Sequence, residues 1–236
     1  MFIPLGDNNR GRRLTPFVNY ALIGLNAYMW YLQLSLGESF TASYAAIPLE
    51  LSQGIDIVVT QHITVEGDSV PIPQGPGPHP LWFTIFTSMF MHGSWMHLIG
   101  NMLYLNIFGD QVEDRLGHIR YLLFYLFAGV VATVTQVYAD PASIIPNVGA
   151  SGAIAGVLGA YLVLHPRNQV RVLFFREIII LPAMLVLGIW IVIQFLGQAG
   201  AAHGAGGIAY LAHIGGFVVG FITGLLLRIL TPLRRA

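Results

Sequence analysis

The chain of 236 residues contains no cysteine and no lysine. Without cysteine there is no disulfide framework, no thiolate nucleophile and no cysteine-based metal site. Without lysine, eleven arginines make up the whole basic complement. Charge of either sign is scarce. Only 9% of residues are charged against 55% hydrophobic, whereas soluble domains carry about a quarter charged residues. The composition is that of a membrane protein. Net charge is zero, and no basic run carries interleaved aromatics, which argues against a nucleic-acid partner. No H-E-x-x-H occurs, and the eight histidines form no ligand cluster, so neither a metal nor another cofactor is expected.

What is abundant is long apolar sequence. A spanning helix needs about 20 mostly apolar residues. Residues 17–36, 121–139, 178–197 and 208–227 meet that test without a single Asp, Glu, Lys or Arg. Two shorter spans are read at 95–109 and 149–164, the second closed by His165-Pro166. The expectation is an all-α polytopic bundle of six transmembrane helices in one domain, 1–236. Residues 1–16 form an N-terminal segment, and 37–94 form a long first connector. Within that connector "PIPQGPGPHP" is turn chemistry, and "LWFTIFTSMFM" reads as a short interfacial helix. If the spans alternate, every arginine falls on one side: Arg10, Arg12 and Arg13; Arg115 and Arg120; Arg167, Arg171 and Arg176; Arg228, Arg234 and Arg235. The positive-inside rule then places both termini in the cytoplasm and residues 37–94 outside.

This topology sets the polar residues of three spans at similar depth in one leaflet. His97 and Asn101 open the second span, Ser151 the fourth and His213 the sixth. Polar side chains inside a membrane are costly and mark function. Small residues indicate which helices touch. Gly149, Gly152, Gly156 and Gly159 line the fourth span, and Gly216, Gly220 and Gly224 the sixth. Two such ridges permit close backbone approach, which would bring Ser151 to His213. A serine hydroxyl becomes nucleophilic when a base takes its proton, and neutral histidine is the usual base. No carboxylate lies within the spans, and Asp140 is the nearest in sequence, so the expectation is a Ser–His dyad without a third acidic member.

His97 and Asn101 lie four apart and share a helix face. With the backbone N–H of Ser151 they are candidate donors to an oxyanion. His92, off that face, reads as an interfacial residue or a packed polar group outside the span. From Ser151 to Leu164 the fourth helix is 14 residues, about 21 Å against a hydrocarbon core of about 30 Å. The serine would then lie below the outer surface, reached by water through a cavity. The glycine- and alanine-rich stretch 197–207 before His213 is a candidate mobile cap over it, or a merely flexible loop.

The stretches "HGSWMHLIGNM", "GASGAIAG" and "AHIGGFVVG", with "VEDRLG" closing the second span, resemble the rhomboid intramembrane serine proteases of bacteria. The N-terminal "IPLGDNNRGRRLTPFVNYALIGLN" is also similar. The resemblance implies Ser151 as nucleophile, His213 as base, and His97 and Asn101 as oxyanion or water-site donors. It implies a structural pair at Glu113 and Arg115. It also implies transmembrane protein substrates, cut in or beside the lipid bilayer of a bacterial inner membrane, and no cofactor. Many bacterial members carry a tyrosine four residues after the serine, beneath the histidine; here that position is Ala155. The first connector is longer than in minimal members. The main alternative is a catalytically inactive relative that binds membrane proteins, but such relatives typically lack the serine or the histidine. A transporter would show charged or broken helices near the midplane, and these spans show none.

Overall fold

The computed structural model describes residues 2–8, 11–65, 67–201 and 209–230. It is mostly helical. Helices α1 (Phe17–Leu36), α5 (Trp95–Leu116), α6 (His118–Ala139), α7 (Ser151–Leu164), α8 (Ala183–Ala201) and α9 (Tyr210–Leu230) form the bundle. Short helices α2 (Glu38–Tyr44), α3 (Pro48–Gln53) and α4 (Thr84–Thr87) lie in the first connector. Helices α6, α8 and α9 are long and apolar enough to cross a membrane by length and composition.

The expectation of an all-α chain needs correction. Strands β1 (Phe2–Asp7), β4 (Gln169–Phe174) and β5 (Glu177–Pro182) form an antiparallel sheet in the order β1-β4-β5. Strands β2 (Gln61–Val65) and β3 (Asp68–Ile72) form a hairpin in the first connector. The span expected at 178–197 accordingly begins later, at Ala183. The run Ile178–Ile179–Ile180 is apolar enough for a helix, but β-branched residues suit a pleated edge. Pairing Val172 with Ile179 and Arg171 with Ile180 recruits the run into β5. The "LWFTIFTSMF" stretch is helical but broken: one α-turn, Thr84–Thr87, between two 3₁₀ turns.

The sheet ties together one end of the bundle. The Tyr161 hydroxyl, on the last turns of α7, donates to Asp7 of β1, and Asn168 Nδ2 donates to the Tyr161 oxygen at 3.1 Å. Arg12 pairs with Asp110 of α5 at 2.6 Å, and the backbone N–H groups of Arg13 and Leu14 donate to Asp114. Residues 2–8 and 11–16 are thus docked against the bundle. Glu113, fully buried, accepts from the N–H groups of Val18 and Asn19 at 3.0 and 2.7 Å and lies 2.5 Å from His118 Nδ1. A carboxylate at the N-terminus of α1 satisfies orphan donors and complements the helix dipole. Arg115 lies in the last turn of α5. Nearby, burial and then the Arg115 charge push the His165 imidazole down to about 4, so it is neutral.

The tightest packing is between α7 and α9. A methyl group built on Gly216 would overlap the Gly152 carbonyl oxygen, and one on Gly220 would overlap that of Gly156. One built on Gly224 would come 2.8 Å from Val163 Cβ. The α9 ridge therefore rests on α7 backbone, as the glycine spacing predicts. The α7 ridge divides its contacts. Gly159 lies against the Phe217 carbonyl of α9, whereas Gly152 and Gly156 turn their missing side chains toward Ala132 and Ala128 of α6. Helix α7 is thus flanked on two sides, and twelve of its fourteen residues are buried. That enclosure accounts for an apolar helix with no polar face.

Candidate functional site

Ser151 is the first residue of α7, and what precedes it is held by the first connector. Ala46 and Asn147 exchange backbone hydrogen bonds of 3.0 and 2.9 Å, and the Gly149 N–H donates to the Ser88 carbonyl at 2.9 Å. Gly149 has φ +131°, a conformation that glycine adopts at little cost. It also needs the space: a Cβ there would lie 2.7 Å from His97 Nε2 and 3.5 Å from Ser151 Oγ. The missing side chain lets the His97 ring approach the turn that presents the serine.

His213, on the first turn of α9, meets that serine. Its Nε2 lies 2.8 Å from Ser151 Oγ. Its Nδ1 lies 2.7 Å from the side-chain oxygen of Gln194 on α8. An amide oxygen only accepts, so Nδ1 carries the proton and Nε2 is free to accept from the hydroxyl. This is the tautomer that a base requires. Gln194 is buried, and its amide N–H donates to the Trp190 carbonyl at 3.2 Å. The Trp190 ring lies 5.8 Å from the His213 ring and stacks on Phe217 at 6.1 Å. Asp140 is exposed at the end of α6, and the group at Nδ1 is an amide, not a carboxylate.

The second polar group comes from α5. Ser94 caps that helix, its hydroxyl accepting from the His97 N–H at 3.1 Å. The Gly93 N–H donates to His97 Nδ1 at a long 3.5 Å, which leaves the N–H of this ring at Nε2, the atom nearest Gly149. Asn101 is buried and its Nδ2 lies 3.0 Å from His92 Nε2. Of the two readings of His92, interfacial or packed polar group, the structure takes the second. His92 is 1% exposed and packs edge-on against His97 at 5.1 Å. Gln33 of α1 clamps its backbone, donating to its carbonyl and accepting its N–H, each at 2.9 Å. A five-residue offset places it off the helical face, but α5 begins only at Trp95, so helical spacing does not apply to it.

A cavity of about 740 Å³ opens beside this constellation, between α1, α2 and β3, and reaches His92, Gly93 and Val148. Stretch 197–207 divides. Its first five residues continue α8, and 202–207 lie outside the described residues. Among the described residues no group of three His, Cys, Asp or Glu side chains is placed to hold a metal.

Sequence reasoning missed Gln194, although a signal was present. It is the single amide-bearing residue between 178 and 197, and a scan for charged residues passes over it. Gln33 was missed in the same way.

Known proteins are similar to this chain in sequence. Residues 79–229 match the rhomboid domain family model. The chain is 34% identical over 140 residues to rhomboid protease GluP of Bacillus subtilis, covering 59% of this chain and 25% of that protein. It is 30% identical over 153 residues to Rhomboid-like protein 11, chloroplastic, of Arabidopsis thaliana, covering 61% and 51%. It is 31% identical over 150 residues to Rhomboid protein 1, mitochondrial, of Saccharomyces cerevisiae, covering 60% and 40%. The chain thus spans about half or less of the length of these relatives. The matched region contains His97, Asn101, Ser151 and His213 together, and the chain, an apolar helical membrane protein, belongs to the rhomboid family.

Proposed function

We propose that this protein is an intramembrane serine protease that cleaves transmembrane proteins through an acyl-enzyme on Ser151. The observation that carries this reading is the 2.8 Å approach of His213 Nε2 to Ser151 Oγ. His213 takes the hydroxyl proton as Oγ attacks the substrate carbonyl carbon. The oxyanion that forms faces the Ser151 backbone N–H at the positive end of α7, the His97 ring N–H, and an amide N–H of Asn101. One Asn101 N–H is directed to His92, which leaves the second for the oxyanion. As the C–N bond breaks, Nε2 returns its proton to the leaving amine. A water, deprotonated by the same nitrogen, then hydrolyses the ester and restores the hydroxyl.

The bundle is read as six spans with both termini on the cytoplasmic side of a bacterial inner membrane. Two features support that arrangement. Arg171 in β4 and Arg12, paired with Asp110 of α5, lie at the end where α5 and α7 finish. The Ser151 and His213 ends of α7 and α9 are opposite, where arginine is absent from the connectors. Glu113 and Arg115 have a structural role at the cytoplasmic end. Helix α8 is the candidate gate for lateral substrate entry, since Leu185, Ile189, Val192 and Leu196 are exposed along it. A cut segment must leave its helix to offer a carbonyl, so substrates with weak helix formers near the outer face are favoured.

The test is reconstitution with a transmembrane substrate, alongside fluorophosphonate labelling. Wild type should label at Ser151 and cleave, while Ser151→Ala and His213→Ala should do neither. A wild type that binds membrane proteins yet neither labels nor cleaves would mark it instead as an inactive binder.

A further inference from the structure

We infer that Gln194 is the positioning residue of the site, holding His213 in the reactive tautomer from α8; this rests on the protease reading above. The geometry has three parts. The Gln194 oxygen accepts from His213 Nδ1 at 2.7 Å, in line with the 2.8 Å bond from Nε2 to Ser151. The direction of the amide is set independently, because its N–H is used by the Trp190 carbonyl one turn earlier at 3.2 Å. A flipped amide would present N–H to Nδ1 and lose that bond. Trp190, four residues before Gln194 and on the same face, lies against the imidazole and closes the other approach.

The choice of amide follows from the surroundings. Gln194 is 7% exposed, on a helix whose neighbouring positions Ile193 and Phe195 are more than half exposed. An ionised carboxylate there would carry a large desolvation cost. A neutral amide oxygen fixes the same tautomer and stabilises the imidazolium through its dipole, without a buried charge. No proton moves to Gln194. The Ser151 proton goes to Nε2, the Nδ1 proton stays on the ring throughout, and only its hydrogen bond strengthens. Ala155, one turn past Ser151, is fully buried and offers no ring or polar atom to the histidine. Orientation of His213 therefore falls to α8.

The experiment compares wild type, Gln194→Met and Gln194→Glu in the full-length chain in proteoliposomes. Methionine keeps the length and loses the acceptor; glutamate, kept neutral by the same burial, offers its carbonyl oxygen to Nδ1 and its O–H to the Trp190 carbonyl. Gln194→Met should label with fluorophosphonate about 10- to 100-fold more slowly, a part of the 10²- to 10⁴-fold that a positioned acid–base group contributes. It should lower kcat with KM unchanged, and Gln194→Glu should recover most of the rate. Independently, ¹⁵N NMR of histidine-labelled protein should show His213 protonated at Nδ1 in wild type and a shift toward the Nε2-protonated form in Gln194→Met. Equal labelling rates and an unchanged tautomer in Gln194→Met would overturn the assignment. Should Gln194→Met misfold, a wild-type spectrum with His213 protonated at Nε2 would overturn it alone. Absence of labelling in wild type defeats the protease reading instead, and the tautomer still judges the Gln194 contact.

Discussion

Helices α7 and α8 are both apolar, and they are packed in opposite ways. Twelve of fourteen α7 residues are buried, and its backbone carbonyls lie directly under the glycines of α9. Most of the α8 surface faces outward, with Met184, Leu185, Ile189, Val192, Ile193, Phe195 and Leu196 exposed. Its inward stripe is narrow: Ala183, Val186, Leu187, Trp190 and Gln194. Ser151 sits on the enclosed helix, and Gln194, which accepts from His213, on the lightly held one. Close-packed backbone leaves no slack for the Ser151 hydroxyl. Helix α8 meets the core through one narrow stripe, with Ala183, Val186 and Leu187 buried in it, and leaves the rest of its surface unpacked.

The contrast can be broken at the seam first. Gly220→Leu would drive a side chain into the Gly156 carbonyl. The expected loss is about 4 kcal/mol or more of stability, together with loss of Ser151 labelling. Reversible unfolding in mixed micelles measures it, and a near-native midpoint would deny the seam its role. Next comes the far end of α7. Tyr161→Phe removes hydrogen bonds with Asp7 and Asn168 and leaves a half-buried carboxylate short of a donor. About 1–3 kcal/mol should be lost, with labelling of Ser151 retained in the folded fraction.

A smaller effect is expected in the connector that braces the serine turn. Glu50 is buried, and its carboxyl accepts from the Ile57 N–H at 2.8 Å. Burial raises its pKa, with Asp56 adding to the rise and the Ile57 bond opposing it. The folded form thus holds this proton more tightly than the unfolded chain. The stabilisation is full in acid, below the unfolded pKa, and is lost as pH rises through the folded one. Glu50→Gln removes that dependence, so its melting temperature relative to wild type should climb from acid to neutral pH. A difference independent of pH would show that Glu50 does not titrate with folding. The smallest effect belongs to the open face of α8. Ile193→Ala should change stability by no more than about 0.5 kcal/mol, and a loss as large as at Tyr161 would erase the contrast between the helices.

Much of this molecule was legible in one dimension because membrane physics constrains sequence so strongly. Apolar length located the long helices to within about five residues at each end, except that α5 runs on past the expected 109 to Leu116 through the charged turn Asp110–Arg115, and glycine spacing pointed to the α7–α9 contact. The proximity of Ser151 and His213 followed from that contact, since two ridges in register align their ends. The sheet was not legible. Residues 178–182 have helix-compatible hydrophobicity, and only the neighbouring strand β4 and the chain's first residues decide that they extend. What His92 packs against was not legible for a related reason, because periodicity says nothing about a residue one turn before a helix begins.

The sequence by itself determined the membrane class, the order of the apolar helices and the pairing of the glycine-bearing ones, because burial in lipid and close backbone approach admit few residue types. Tertiary structure alone decided what touches the other side of His213. An amide oxygen 19 residues upstream reaches Nδ1 through the angle at which α8 lies against α9, and such an angle is set by the sum of many small contacts that no local pattern encodes.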